Sequence, residues 1–442
     1  MSLKDSGVEW ISSIPIEWEV KKLKYLAEII DGDRGSEYPN DKDLVDVGIL
    51  FLSGDNLKSN GFDYSKVRFI SEEKFSKLGR GKVMKNDIIT SVRGTIGSAG
   101  LFEGEVYEKA FINAQMMIIR PRKILDSKFL FYFTRTNAWK LCLNYFAYGT
   151  AQQQLSNKIL MQLPLAIPNL KIQHQIVNYL DNKICKVDKL IEKKEQLVSM
   201  LEQQRQSIIT EAVTKGLNPN VKMKDSGVEW IGEIPEHWNI SKVKYTSYLL
   251  NGDRGENYPS GNDFLDDGIP FITSHNLNKR YIDYTNCKYI SDERYNLLRG
   301  IKIENRDIIY CLRGSVGKNA MATHSEGTIA SSLMGIRAKN NINPEFLLYV
   351  LNSKVEVWNR SLLTTGSVSD NLSAENVGSY IIPYPDLEEQ ERIVSYLIKK
   401  LNELDKLSDI VEIQIEKLKE YRQALIYEAV TGKINISDME FV

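Results

Sequence analysis

The chain has 442 residues, 42% hydrophobic and 26% charged, with 57 basic against 58 acidic side chains and a formal net charge of −1. That length is too great for one ordinary domain, and the apolar content describes a globular protein with real cores. No stretch is long and apolar enough to span a bilayer, the N-terminus carries no apolar run of the kind a secretory signal needs, and the balanced charge does not announce a nucleic-acid partner.

The chain opens on Lys4-Asp5-Ser6-Gly7-Val8-Glu9-Trp10-Ile11, followed by Ile14-Pro15 and Trp18. Short strands are expected at Gly48–Leu52, Asp87–Val92 and Gln115–Arg120, each bounded by glycine and polar turns, with a helix over Lys128–Asn144. This portion therefore reads as α+β. From Val177 onward, Val177, Leu180, Ile184, Val187, Ile191, Val198, Leu201, Ile208 and Ala212 fall on alternating three- and four-residue steps, interrupted at Lys194 and Arg205. Such a heptad stripe, with Pro168 before it and Gly216 after it, marks a long helix. Lys224–Ile231 then repeats the opening motif letter for letter at an offset of 220. At the same offset Gly32-Asp33-Arg34-Gly35 matches Gly252-Asp253-Arg254-Gly255, Tyr38-Pro39 matches Tyr258-Pro259, and Arg93-Gly94 matches Arg313-Gly314. Later the offset falls to 217, where Pro168 meets Pro385 and Gln173 meets Gln390, so the second copy has lost three residues in a loop between about Gly317 and Glu345. A second stripe follows on Val394, Leu397, Leu401, Leu404, Val411, Ile415, Leu418, Leu425 and Ala429, interrupted at Ser408 and Arg422 and followed by Gly432. The chain is two copies of one unit, each a globular portion followed by a helical one.

An amphipathic helix lying on a core would also show an apolar stripe, but one sustained over five heptads, twice, reads as a coiled-coil pair. Each helix of about 40 residues would run about 60 Å. If the intervening portion returns near its own start, the second helix runs antiparallel to the first and the globular portions sit at opposite ends of a rod. The expected fold is thus two tandem α+β domains separated by a long antiparallel two-helix coiled coil, a pseudo-two-fold internal repeat. Its boundaries are 1–168, 169–216, 217–385 and 386–442, with Leu180, Ile184, Val187, Ile191, Leu201, Leu397, Leu401, Leu404, Ile415 and Leu418 at the helix interface.

Three segments in each copy suit a polar partner. They are the loop at Arg34 or Arg254, the turn carrying Arg93 and Thr95 or Arg313 and Ser315, and the segment carrying Gln152 and Gln153 or Ser367 and Ser369. Their glycines admit close approach of backbone to a ligand, and arginine, glutamine, serine and threonine donate to phosphates or read base edges in the major groove. Ordinary turns, with the arginines salt-bridged to Asp33 or Asp253, account for any one of these segments equally well. Tyr38-Pro39 and Tyr258-Pro259 read as turn anchors. Four histidines share no spacing, and Cys142, Cys185, Cys287 and Cys311 stand far apart, as isolated reduced thiols would. No GxxxxGK[ST], GxSxG or HExxH pattern occurs, nor an Asn-Pro-Pro-Tyr-type run, so no catalytic or metal site is expected. A stand-alone two-domain DNA-binding regulator and a coiled-coil protein scaffold are the other classes that fit.

The chain resembles the specificity (S) subunit of type I restriction-modification enzymes over nearly its whole length. The resemblance rests on the opening motif of each half, on Pro168-Asn169-Leu170 and Pro385-Asp386-Leu387 before each helix, on Gln173 and Gln390 within them, and on Glu211-Ala212-Val213-Thr214 and Glu428-Ala429-Val430-Thr431 at their ends. It implies two target recognition domains reading the halves of a bipartite double-stranded DNA sequence. The helical rod would be a ruler for at most about 17 base pairs. It further implies a non-catalytic cytoplasmic subunit that docks two methyltransferase (M) subunits and, through them, restriction (R) subunits. S-adenosylmethionine, ATP and Mg2+ would be bound by those partners and no membrane would be involved. The copies differ most around Ala99–Arg120 and its counterpart, and in Gln152-Gln153-Gln154 against Ser367-Val368-Ser369, which points to an asymmetric target.

Overall fold

The computed structural model of the chain describes residues 2–58, 61–93, 96–147, 155–278, 280–364 and 371–435. It divides into two compact units, one of residues 1–194 and 413–442, the other of residues 195–412. Each unit therefore owns a piece of both long helices.

In the first unit the run Asp87-Ile88-Ile89-Thr90-Ser91 is buried at every position, because it lies inside a four-stranded antiparallel sheet ordered 99–102, 87–91, 116–121, 27–31. Covered on both faces, the strand buries its polar Asp87, Thr90 and Ser91 along with its isoleucines. A second sheet is ordered 82–83, 110–112, 49–52, 68–70, 44–45, with 110–112 parallel to 49–52. The second unit repeats the first sheet as 247–251, 333–338, 308–311, 319–321, and its strand 328–329 is again parallel to 269–272. The residues lost from the second copy fall in the connection after Phe102 and before Phe111, which is matched by Ala322 and Thr328. Phe102 and Ala322 accept from the equivalent amides of Asn86 and Arg306, and Phe111 and Thr328 pair with Phe51 and Phe271.

The helix expected over Lys128–Asn144 is two helices, Ser127–Thr134 and Asn137–Ala147. Thr136 breaks it: its hydroxyl accepts from Trp139 N at 3.3 Å and so caps a new helix start. Ser353 does the same for Lys354–Thr364, accepting from Val355 N at 3.1 Å.

The long helices span Leu170–Lys215 and Leu387–Val430. Each starts before its apolar stripe because Asn169 and Asp386 supply cap oxygens, to Ile172 N at 3.1 Å and Glu389 N at 2.9 Å. Each ends at a glycine in the left-handed region, Gly216 with φ 74° and Gly432 with φ 72°. A Cβ on Gly432 would also stand 2.5 Å from Pro15 Cδ, so no other residue fits there without displacing the opening segment.

Within the first unit, Lys194 Nζ donates to Gln414 Oε1 at 2.6 Å and Arg422 Nη1 to Asp188 Oδ1 at 2.5 Å, so the two helix segments run antiparallel. The second unit carries the matching ion pair, Arg205 to Asp405 at 3.5 Å. The arginines that interrupt the apolar stripes thus each meet an aspartate on the other helix, a device that fixes register. Leu180, Ile184, Val187, Ile191, Leu201, Leu397, Leu401 and Ile415 are buried, while Leu404 and Leu418 are half-buried. The first core joins Ile176, Leu180 and Ile184 to Leu425, Ile426 and Val430, and the second joins Ile209 and Val213 to Ile393, Leu397 and Leu401.

The shared glutamines are explained by their surroundings. Gln173 is fully buried, donates to Ile124 O at 3.0 Å and Pro168 O at 2.9 Å, and accepts from Asp126 N at 2.8 Å. Gln390 makes the same bonds to Pro385 O at 2.9 Å and from Asn343 N at 2.7 Å. Either glutamine replaced by alanine strands buried backbone groups and should lower the unfolding free energy by about 2 kcal/mol. Denaturant unfolding of Gln173→Ala with an unchanged midpoint would contradict this.

Candidate nucleic-acid interface

Asp33 organises the first candidate loop. Its carboxylate accepts from Gly35 N at 2.8 Å, Gly79 N at 2.9 Å and Arg80 N at 3.3 Å. Those amides, that of Gly35 foremost and against the opposing effect of burial, hold its pKa below the usual carboxylate range. Asp253 accepts from Gly255 N at 2.6 Å and Arg299 N at 2.7 Å, and its pKa is lowered for the same reason. A depressed folded pKa contributes stability that is full above the unfolded value near about 4 and is lost as pH falls through the folded value. The stability difference between the wild type and an Asp33→Asn/Asp253→Asn variant should therefore shrink as the solution is acidified below about pH 4. A difference constant through that range would contradict the anchoring role.

The neighbouring arginines reach backbone carbonyls of another segment. Arg34 is exposed and donates from Nη2 to Ala114 O at 3.1 Å, and Arg254 donates from Nη2 to Ser331 O at 3.2 Å. Tyr38 and Tyr258 are turn anchors in a definite sense: their hydroxyls accept from Ala114 N and Ser331 N, each at 3.3 Å.

Arg93, Arg313 and Ser315 are exposed on the turns that follow the central strands. Ser91 Oγ donates to Arg93 O at 2.6 Å, and Cys311 Sγ to Arg313 O at 3.1 Å. Val92 N donates to Gln115 O at 2.9 Å and Leu312 N to Ser332 O at 2.9 Å. Leu155 N and Leu372 N return to Val92 O and Leu312 O at 3.2 and 2.9 Å. Thr95, Gln152, Gln153, Ser367 and Ser369 lie outside the described residues.

The floors under the two turns are chemically different. Gly97 O accepts from Trp139 Nε1 at 2.9 Å, and a Cβ on Gly97 would stand 2.3 Å from Leu143 Cδ1. Under Gly317, at the positions matching Trp139 and Leu143, lie Glu356 and Arg360, each with an atom 3.2 Å from where that Cβ would be. Glu356 is 4% exposed, accepts from Tyr310 Oη at 2.5 Å and from Arg360 Nε at 2.9 Å, and Tyr310 Oη lies 3.1 Å from Tyr380 Oη. Burial, then the Glu356 charge, pushes the Tyr310 phenol well above its usual pKa, so it remains a donor.

The bonds from Arg34, Tyr38 and Val92, and from Arg254, Tyr258 and Leu312, converge on a segment that sequence reasoning did not single out: Asn113-Ala114-Gln115 in the first unit and Ala330-Ser331-Ser332 in the second. No periodicity or motif marks it. The signal available was its place inside the stretch where the two copies diverge. Among the described residues no group of three or more His, Cys, Asp or Glu side chains is placed to hold a metal ion, and no helix is long and apolar enough to cross a membrane.

The family model described as the type I restriction modification DNA specificity domain matches residues 15–200 and again residues 249–420. The chain belongs to that family. Among curated proteins, the putative type I restriction enzyme MjaX specificity subunit of Methanocaldococcus jannaschii is 26% identical over 96% of this chain and 96% of that protein. The type I restriction enzyme EcoKI specificity subunit of Escherichia coli is 19% identical over 95% of this chain and 90% of that protein. A solved chain from work on complex assembly and conformational transition of the type I R-M system superposes with a TM-score of 0.72 at 16% identity, covering 95% of this chain and 99% of that chain. The HsdS subunit of Thermoanaerobacter tengcongensis gives 0.51 over 95% and 98%. One specificity-domain match thus falls on each copy of the repeat, and each contains the convergent turn described above.

Proposed function

We propose that the chain gives a type I restriction-modification complex its DNA specificity, each unit reading one half of a bipartite target. The observation that carries this is the same hydrogen-bonded frame in two specificity domains, holding a turn whose side chains differ between them. Different side chains on one frame read different half-sites, so the target is asymmetric. Arg34, Arg93, Arg254 and Arg313 supply cations for phosphates or for guanine edges, and Ser315 with Thr95, Gln152, Gln153, Ser367 and Ser369 supplies hydroxyls and amides for bases. Two methyltransferase subunits dock on the chain and restriction subunits join through them. Those partners, working with it in the cytoplasm, bind S-adenosylmethionine, ATP and Mg2+ and perform the chemistry.

The deciding experiment is co-expression with the partner methyltransferase subunit, followed by mapping of methylated adenines. One bipartite asymmetric motif, lost when this chain is omitted, is the expected result; identical half-sites would refute the asymmetry, and methylation independent of the chain would refute the function. Arg93→Ala should weaken binding of the assembled complex to its target roughly tenfold. If Arg93 meets a phosphate, the slope of log affinity against log salt should also fall by about 1. Unchanged affinity and slope would remove Arg93 from the interface.

A further inference from the structure

We propose that each unit reads bases chiefly through one turn, Asn113-Ala114-Gln115 in the first and Ala330-Ser331-Ser332 in the second, and that the side chains at these positions determine which bases are accepted. The inference rests on the reading of the chain as a DNA-specificity subunit and adds where in each unit that specificity resides.

The first argument is the frame. The backbone of the turn is tied down from two other segments by the same bonds in both units. Arg34 and Arg254 donate to the carbonyls of Ala114 and Ser331 at 3.1 and 3.2 Å. Tyr38 and Tyr258 accept from the amides of Ala114 and Ser331 at 3.3 Å. Val92 and Leu312 donate to the carbonyls of Gln115 and Ser332 at 2.9 Å. In each unit the turn also joins the two main sheets, since it follows strand 110–112 or 328–329 and precedes strand 116–121 or 333–338. Its conformation is therefore set by rigid elements on either side, as a specificity loop on a scaffold requires.

The second argument is what varies. Arg34, Tyr38 and the glycines around Asp33 are identical in the second copy as Arg254, Tyr258 and the glycines around Asp253, whereas Asn-Ala-Gln becomes Ala-Ser-Ser. Duplication has preserved the clamp and changed what the clamp holds. A structural turn with its backbone so fully engaged tolerates many side chains, so the substitutions leave the frame intact and alter only the surface presented.

The third argument is chemistry. Gln115 is exposed, and its amide offers one acceptor and a donor pair that match the N6 and N7 edge of adenine. Asn113 is partly committed, because its Oδ1 accepts from Gln115 N at 3.0 Å. Ser331 and Ser332 are half-buried and bring only short hydroxyls, which accept from or donate to either kind of base pair. The exposed Arg34 and Arg254 bond to the turn itself, and the exposed Arg93 and Arg313 directly follow Val92 and Leu312, which also bond to it, so phosphate contacts would seat it against a groove.

The test uses the complex of the full chain with its methyltransferase subunit. Methylation mapping of the wild type first defines the motif; if no motif depends on the chain, the specificity reading fails and this proposal with it. Affinities are then measured for duplexes carrying one substituted base pair at each motif position. In the wild type each substitution should weaken binding on the order of tenfold. In Gln115→Ala, which keeps every backbone bond of the turn, the penalty should collapse towards onefold at one or two adjacent positions of one half-site and stay unchanged in the other. The grafted variant N113A/A114S/Q115S should shift preference in that same half-site only. Penalties unchanged at every position, or relaxed equally in both half-sites, would overturn the assignment.

Discussion

Asp87→Ala should destabilise the first unit by about 4 kcal/mol, and Asp307→Ala should do the same to the second. Each carboxylate is 1% exposed; Asp87 opens the central strand 87–91, and Asp307 directly precedes the matching strand 308–311. Arg120 grips Asp87 through Nε and Nη2, both at 2.8 Å, and Arg337 grips Asp307 at 2.8 and 2.7 Å. The same carboxylates accept from Met84 N and Glu304 N at 2.7 Å, and each arginine also donates to a backbone carbonyl, Lys82 O at 3.1 Å or Lys302 O at 3.0 Å. Alanine would remove the buried anion that compensates a partly buried guanidinium, leaving Arg337 with the exposed Glu304, and would strand a backbone amide, which is why the loss exceeds what a surface pair gives. Urea unfolding is the measurement, and a loss below about 1 kcal/mol would contradict the argument. Adding Arg120→Met to Asp87→Ala should recover a large part of the stability, because the penalty lies in the orphaned charge.

Glu356→Ala should cost the second unit about 3 kcal/mol and leave the first untouched. The carboxylate is the shared acceptor for Tyr310 and Arg360, and no equivalent exists elsewhere, since the matching positions hold Thr90, Trp139 and Leu143. Glu356→Gln preserves the shape and one acceptor and should lose about half as much. Because this cluster is the floor under Gly317, the variant should also loosen discrimination in the half-site read by the second unit. Equal loss in both half-sites, or an unfolding midpoint identical to the wild type, would show that the cluster does not support the turn at Gly317.

The repeat, the long helices and their glycine stops were legible because they depend on local rules: a letter-for-letter motif, a 3.5-residue period, and the freedom of Gly216 and Gly432 to enter the left-handed region. The break at Thr136 was not, because the apolar positions of 127–134 and 137–147 nearly continue one another and only a cap hydroxyl separates them. The role of Gln173 and Gln390 was hidden for a different reason. The partners of each buried amide are backbone groups, one of them five positions away and the others nearly fifty, and backbone carries no letter in a sequence. The turn at 113–115 escaped on the same account: what singles it out is a set of carbonyls and amides addressed from Arg34, Tyr38 and Val92. Sequence comparison between the halves picks out the clamp, which is shared, and passes over the held turn, which is not.

The first unit is discontinuous: residues 1–194 are completed by residues 413–442, and Leu425, Ile426, Ala429 and Val430 belong to its core. A polypeptide leaves the ribosome in order, so the portion synthesised first waits through more than two hundred further residues for the helical turns that seal it. The second unit, residues 195–412, emerges whole before that point. Maturation therefore runs against the direction of synthesis, and a nascent chain stalled before Gly432 would expose the apolar surface of Trp18 and Ile176 to chaperones and proteases while its later-made neighbour was already closed.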